Sequence, residues 1–235
     1  MQSWGVQSRF SVRDTGLEPS KSGVIGLLCA ALGRRRDEDV SDLVALRMGV
    51  RVDREGILKV DYQTAGGTHG RSQSYGVAKA SGATPDTVQS LRYYLADASF
   101  LVGLQGEDMD LLHRLNAALA APVWQLSLGR KSYVPAEPVR LPDLPPFGPG
   151  LQDLPLYDAL ERYIWPDRSN DPRGGPPDRL RLVIDAEEEA GAEVRRDVPI
   201  SFAARTFGLR RVQIKFLVQS KEPPDVSVTV SSESA

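Results

Sequence analysis

Apolar positions along the chain follow two periods. Val24, Ile25, Leu27, Leu28, Ala31 and Leu32 recur at helical spacing, with Ser20 and Ser22 ahead of them as candidate N-caps. Gly33 follows and can end the helix in a left-handed turn, so a short, mostly buried helix is predicted. Residues 108–121 (DMDLLHRLNAALAA) predict a second, amphipathic helix with Met109, Leu112, Leu115 and Leu119 facing inward and His113 at the stripe's margin. Residues 43–53 pass from a helical turn into an alternating strand, and 57–62 (ILKVDY) alternate again after Glu55-Gly56, so the two read as a hairpin. Strand signals return at 91–95, 98–104, 180–185 and 213–218, with a short helix over 156–165.

The segments between these elements set the organisation. Residues 63–89 are rich in Gly, Ser, Thr and Ala, and leave one strand to return into another, like a finger or thumb. Six prolines, at 135, 138, 142, 145, 146 and 149, make an extended strap. The order of elements predicts an α+β, ferredoxin-like domain over 1–135, with the thumb inserted at 63–89 and one strand wanting at the front. The strap and a smaller C-terminal β unit would occupy 136–220, and 221–235 would be a mobile tail. Many RNA-binding proteins share the ferredoxin-like fold, although fold alone does not give function.

Composition narrows the class. With 41% hydrophobic and 26% charged residues over 235 positions, the chain can bury a sizeable core. No apolar run approaches the roughly 20 residues that cross a bilayer, and no basic-then-apolar leader opens the chain, so no membrane partner and a cytoplasmic location are expected. Cys29 is the one cysteine, which excludes an internal disulfide and a cysteine-based metal site. No metal or other cofactor is expected. The net charge of -2 hides segregation. Arg9, Arg13, Lys21 and Arg34 to Arg36 crowd the first part of the chain, and Arg205, Arg210, Arg211 and Lys215 cluster near its end. Such a chain can present a basic face while staying near neutral overall.

Two stretches have the composition of anion sites. Lys21, Ser22 and Gly23 stand at the start of the first helix, where unpaired N–H groups and the positive end of the dipole favour a phosphate. The spacing is not that of a P-loop, because Lys-Ser precedes the glycine. Gly129, Arg130, Lys131 and Ser132 form a turn offering a glycine, two cations and a hydroxyl, flanked by Trp124 and Tyr133. Trp4, Arg9 and Phe10 read as a group that stacks on or pins a nucleotide, and Trp4 and Phe10 read equally as core anchors. His69 and His113 fall in separate segments, so no compact acid–base constellation is visible.

Several odd, ordered motifs together resemble the fifth CRISPR-associated protein family, in the form that serves the type I-E surveillance complex Cascade. They are Met1-Gln2-Ser3-Trp4-Gly5, Pro19 to Gly33, Asp61-Tyr62-Gln63-Thr64, Arg92 to Phe100, Leu128 to Ser132, and Pro199 to Arg205. The resemblance implies a non-catalytic subunit that holds the 5′ handle of the CRISPR RNA and caps the filament of backbone subunits. It implies contact with the large subunit and, through the assembled complex, with target DNA. The residues expected to touch RNA are Arg9, Arg13, Lys21, Ser22, Gly23, Tyr62, Thr64, Arg92, Gly129, Arg130, Lys131 and Ser132. Relatives in a related subtype cut precursor RNA, so a metal-independent endoribonuclease using Tyr62 or His69 is the alternative, and an adaptor without RNA contact is a third reading. Relatives carry a strand ahead of Gln-Ser-Trp-Gly, so either the natural chain is expected to start upstream of Met1 or the sheet to be incomplete.

Overall fold

The fold is described from a computed structural model covering residues 1–6, 11–69, 73–75, 77, 87–141, 143, 150–163, 165, 177–186 and 191–218. In chain order the elements are β1 (Val12–Arg13), α1 (Lys21–Leu32), α2 (Ser41–Val44), β2 (Arg47–Arg54), β3 (Ile57–Ala65), β4 (Gly67–His69) and β5 (Gln73–Tyr75). There follow β6 (Val88–Ala96), β7 (Ser99–Gln105), α3 (Met109–Ala120), α4 (Leu156–Arg162), β8 (Arg179–Asp185), β9 (Glu193–Ser201) and β10 (Thr206–Val218).

Helix α1 forms where its apolar spacing and caps place it. The Ser20 hydroxyl accepts from the Gly23 N–H at 3.2 Å, and Gly33 ends the helix at φ 72°. The Arg34 N–H then reaches back to the Cys29 carbonyl at 2.8 Å, satisfying one of the last orphan acceptors. Helix α3 begins at an Asp108 cap, and it buries Leu111 and Leu115. Met109, expected on the inward face, is 53% exposed because it sits in the first turn, ahead of the stripe that reaches the core.

Strands β7-β2-β8-β10-β9 make one five-stranded antiparallel sheet with helices on both faces. Met48 and Val50 of β2 pack with α1, α2 and α3 through Ile25, Leu28, Leu43, Leu111 and Leu115. The alternate residues face α4, where Leu101, Leu180, Leu182, Ile184 and Leu217 meet Leu156 and Leu160. The α+β class is as expected, but the smaller C-terminal β unit is not a sheet of its own. Strand β8 pairs directly with β2, so strands from the two halves of the chain complete a single sheet. β2 is therefore bonded on both sides, by β7 and β8, and β7 and β9 are the sheet's edges among the described residues.

The expected hairpin between β2 and β3 is also corrected. β2 pairs with β7, and β3 pairs with β6, with Arg54 opposite Ser99 and Ile57 opposite Ala96. The two pairs are successive stretches of one antiparallel ribbon that bends out of the main sheet at Glu55-Gly56 and Asp97-Ala98. Gly56 has φ 76°, and a Cβ there would lie 2.7 Å from the Ala98 Cβ. Asp97 adopts φ 59° and accepts from the Arg54 guanidinium across the bend at 3.0 Å. Sequence alternation registers both strands, but it carries no sign of which strand each will pair with.

Candidate nucleic-acid interface

Beyond the bend, β3 and β6 run as an arm, joined along the outer edge of β6 by β1 to give the order β1-β6-β3. The register sets side chains in rows. Val12, Leu91 and Tyr62 stand abreast on one face, at 50%, 37% and 58% exposure. Arg13, Arg92 and Asp61 stand abreast on the other face. The Arg92 Nε donates to Ser90 Oγ at 3.1 Å, which holds the guanidinium along the strand. Thr64 lies one residue pair beyond Tyr62 on the same face and is exposed. Beyond it, β4 and β5 pair as a small hairpin, while the rest of the expected thumb falls largely outside the described residues.

The base of the arm is pinned by the turn after α3. Gln2 bridges Leu95, and the Ser3 N–H donates to the Leu128 carbonyl at 3.0 Å. The Arg130 guanidinium donates to the Tyr93 carbonyl and to the Tyr133 hydroxyl, each at 3.0 Å, and lies 5.5 Å over the Tyr133 ring. The Tyr133 ring in turn meets Tyr94 with centroids 5.8 Å apart. Arg130 thus fastens the turn to β6, while Lys131 and Ser132 beside it are exposed. Gly129 has φ 90°, and a Cβ on it would lie 1.8 Å from the Ser3 carbonyl oxygen. Gly129→Ala is expected to displace the N-terminal segment and lower stability by about 2–3 kcal/mol through backbone strain and the forced shift of Ser3. Thermal unfolding checks this, and an unchanged midpoint would show that the close approach is dispensable.

The entrance of α1 is arranged differently from the expectation. Lys21 is 6% exposed; its N–H donates to Asp197 Oδ2 at 2.8 Å, and its Nζ pairs with Asp185 Oδ2 at 3.2 Å. Arg210 bridges the same carboxylates, to Asp197 Oδ1 at 2.7 Å and to Asp185 Oδ1 at 2.5 Å. The anion favoured by the helix start is present, but it is the carboxylate of Asp197 on β9, so Lys21 is withdrawn from solvent and from phosphate. Ser22 lies 3.4 Å from the Ser20 hydroxyl, and Gly23 takes the Trp4 ring, whose Cε3 would be 2.8 Å from a Cβ there. These three positions serve packing and capping. Trp4, 4% exposed with its Nε1 on Gln2 Oε1 at 3.1 Å, is a core anchor rather than a stacking platform. Arg9 and Phe10 lie outside the described residues.

The structure gathers Arg13, Tyr62, Thr64, Arg92 and the 129–132 turn around the arm, while Lys21, Ser22 and Gly23 stand at the entrance of α1, which meets the N-terminal segment through Trp4. Val12, Val60 and Leu91 belong to the same exposed surface and were not singled out from the sequence. The alternation of 57–62 was the signal for Val60, and alternation alone does not tell an exposed ribbon from a half-buried strand. His113 is exposed on α3, and burial pushes the Cys29 thiol up, as for a packed thiol. Among the described residues no three His, Cys, Asp or Glu converge to hold a metal, and no helix is long and apolar enough to cross a membrane.

Comparison with known proteins places this geometry. A family model described as CRISPR-associated protein (Cas_Cas5) matches residues 1–213. The CRISPR system Cascade subunit CasD of Escherichia coli (strain K12) is 34% identical over 148 residues, which cover 56% of this chain and 62% of that protein. A solved structure described as "Crystal structure of Cas protein" is 45% identical with TM-score 0.68, covering 92% of this chain and 90% of that one. A chain of a "CRISPR RNA-guided surveillance complex" is 33% identical with TM-score 0.73, covering 93% of this chain and 86% of that one. The bent ribbon, the N-terminal Gln-Ser-Trp-Gly packed beneath it and the match over residues 1–213 together assign the chain to the CRISPR-associated Cas5 family.

Proposed function

We propose that this chain is a non-catalytic, cytoplasmic subunit of a type I-E CRISPR Cascade surveillance complex that holds the 5′ handle of the CRISPR RNA on its arm. In this reading it caps the filament of backbone subunits, touches the large subunit, and reaches target DNA through the assembled complex. The observation that carries the reading is the exposure of strand β3 on both faces. Ile57, Leu58, Val60 and Tyr62 on β3 are each at least 50% exposed, with Val12 and Leu91 beside them. Among the described residues nothing of the chain covers these side chains. Single-stranded RNA supplies what fits it: base faces for Tyr62 and its apolar neighbours, and phosphates for Arg13, Arg92 and Lys131. Thr64 and Ser132 are placed to meet base edges or phosphate oxygens.

The test is binding of the full chain, with and without the other Cascade subunits, to RNA bearing or lacking the handle, across a range of salt. Tyr62→Ala is expected to weaken handle binding by about ten- to hundredfold, the equivalent of one lost stacking partner. Arg92→Ala is expected to lower the salt slope by about one contact. Binding indifferent to the handle would favour an adaptor role. Metal-independent cleavage of repeat RNA, lost on changing Tyr62 or His69, would favour the endoribonuclease.

A further inference from the structure

The two long edges of the arm are finished differently. On β6 the outward backbone groups of Leu91, Tyr93 and Leu95 are met by the chain itself. The Leu91 N–H donates to the Ser11 carbonyl at 2.7 Å, Leu95 exchanges both its bonds with Gln2, and the Tyr93 carbonyl accepts from the Arg130 guanidinium and the Ser3 hydroxyl. Because these odd-numbered residues point outward, the even-numbered ones bond to β3, where Lys59, Asp61 and Gln63 lie in register with Tyr94, Arg92 and Ser90. The N–H and C=O groups of Leu58, Val60, Tyr62 and Thr64 therefore point away from β6, along the free edge of β3. None of these backbone groups has a hydrogen-bond partner among the described residues.

An edge this open is ordinarily blunted by shortness, a proline, a bulge or a solitary charge. β3 runs for nine residues without proline, keeps unbroken register with β6, and exposes every residue but Asp61, which is half-buried. Leu58, Val60 and Tyr62 share one face, and Lys59 and Asp61 share the other. Lys59 makes no ion pair among the described residues. Asp61 stands opposite Arg92 with no ion pair between them, and it accepts from the neutral Gln63 amide at 2.5 Å. Lys59 alone would guard the edge, but Asp61 supplies the opposite charge on the same face. The strand is thus self-complementary. Laid antiparallel against a second copy with Val60 opposite Val60, it sets Lys59 opposite Asp61 twice and Leu58 opposite Tyr62 twice. The same register makes 58, 60 and 62 the hydrogen-bonded pairs and leaves Lys59 and Asp61 in the closer, non-hydrogen-bonded ones. Moving the centre by one residue in either direction sets Lys59 on Lys59 or Asp61 on Asp61.

We propose that free copies of this chain pair through β3, as a two-fold antiparallel dimer centred on Val60 that joins two three-stranded arms into one six-stranded sheet. The apolar row of Leu58, Val60 and Tyr62 then runs on into the same row of the second copy. The contact is confined to one strand edge, which makes it a weak and reversible pair that shelters the edge while the chain is alone. The inference does not rest on the RNA-binding reading: it uses the outer edge of β3, and neither Lys59 nor Asp61 is among the residues assigned to RNA.

The experiment is sedimentation velocity of the full chain, free of RNA and of other proteins, in a dilution series across the micromolar range. A concentration-dependent species of twice the mass of one chain is expected. Lys59→Glu and Asp61→Lys each set like charges opposite one another in two places, and each is expected to weaken pairing about tenfold or more. Mixed in equal amounts, the two variants present an acidic edge to a basic one and are expected to regain the pairing that each has lost, which also shows that both are folded. Val60→Pro removes an outward donor while leaving the bonds to β6 in place, and is expected to be monomeric. Charge variants that dimerise as the wild type does, or a mixture that fails to regain pairing, would overturn the proposal. A wild type that stays monomeric throughout would overturn it as well, and loss of entry into the assembled complex in Val60→Pro would then give the edge to a strand of a partner subunit.

Discussion

Asp197→Ala is expected to lower the unfolding free energy by about 3–5 kcal/mol, because it leaves two buried cations, Lys21 and Arg210, to share the one carboxylate of Asp185. Asp197 is 4% exposed and accepts from the Lys21 N–H and from two nitrogens of Arg210. Its loss removes two of the Arg210 hydrogen bonds, leaving the one to Asp185, and removes the anion from the start of α1 at the same time. Burial alone would push the Asp197 carboxyl up, but hydrogen bonds and charge from Arg210, with the Lys21 N–H, bring it below the usual carboxylate range. A depressed folded-state value fixes the sign. The contribution is fully present above the unfolded carboxyl value of about 4 and is lost as pH falls through the lower folded value. Urea unfolding at neutral pH and along the acid limb reads both effects. A change within about 0.5 kcal/mol at neutral pH, the range of ordinary surface substitutions, would show that the network contributes nothing net. Reversing the charge of Lys21 tests this same network rather than RNA binding, since a carboxylate there would face Asp185 and Asp197.

How far the sequence disclosed this molecule depends on whether each signal is local. Helix α1 was legible because its cap, its apolar spacing and its terminal glycine all lie within fifteen residues of one another. The strands were legible as strands, but the assembly of β2, β7 and β8 to β10 into one sheet was not. Nothing in 47–54 shows that its second neighbour lies at 179–185, since pairing of that kind is fixed by the whole core and not by alternation. The candidate site divides in the same way. Tyr62 and Arg92 were expected from the family resemblance and the 129–132 turn from its composition, and the fold draws them to one arm. Lys21 was misread for a physical reason: its composition and place describe an anion site correctly, but the anion comes from Asp197, 176 residues further along the chain. Local chemistry identifies a demand for negative charge and leaves open whether ligand or protein meets it.

Arg51→Ala is expected to cost a similar amount, about 3–5 kcal/mol, and to do so on the other face of the sheet. Arg51 is 0% exposed. Its Nε donates to Asp53 Oδ1 at 2.7 Å, and its Nη1 donates to the carbonyls of Leu160 and Tyr163 at 2.6 and 2.5 Å. Those carbonyls end α4 and have no partner within the helix, so the guanidinium both caps α4 and ties it to β2. The helix sits close enough that a Cβ on Gly49 or Gly103 would lie 2.5 or 2.7 Å from the leucines of α4, which makes its docking depend on this one tether as well as on Leu156 and Leu160. Alanine would open a cavity, leave Asp53 buried against a missing charge and release the carbonyls together. Pairing Arg51→Met with Asp53→Asn removes both charges, so the double variant is expected to be more stable than Arg51→Met alone, a non-additivity that a double-mutant cycle in urea measures. Strict additivity would refute the charge argument and leave only the lost volume.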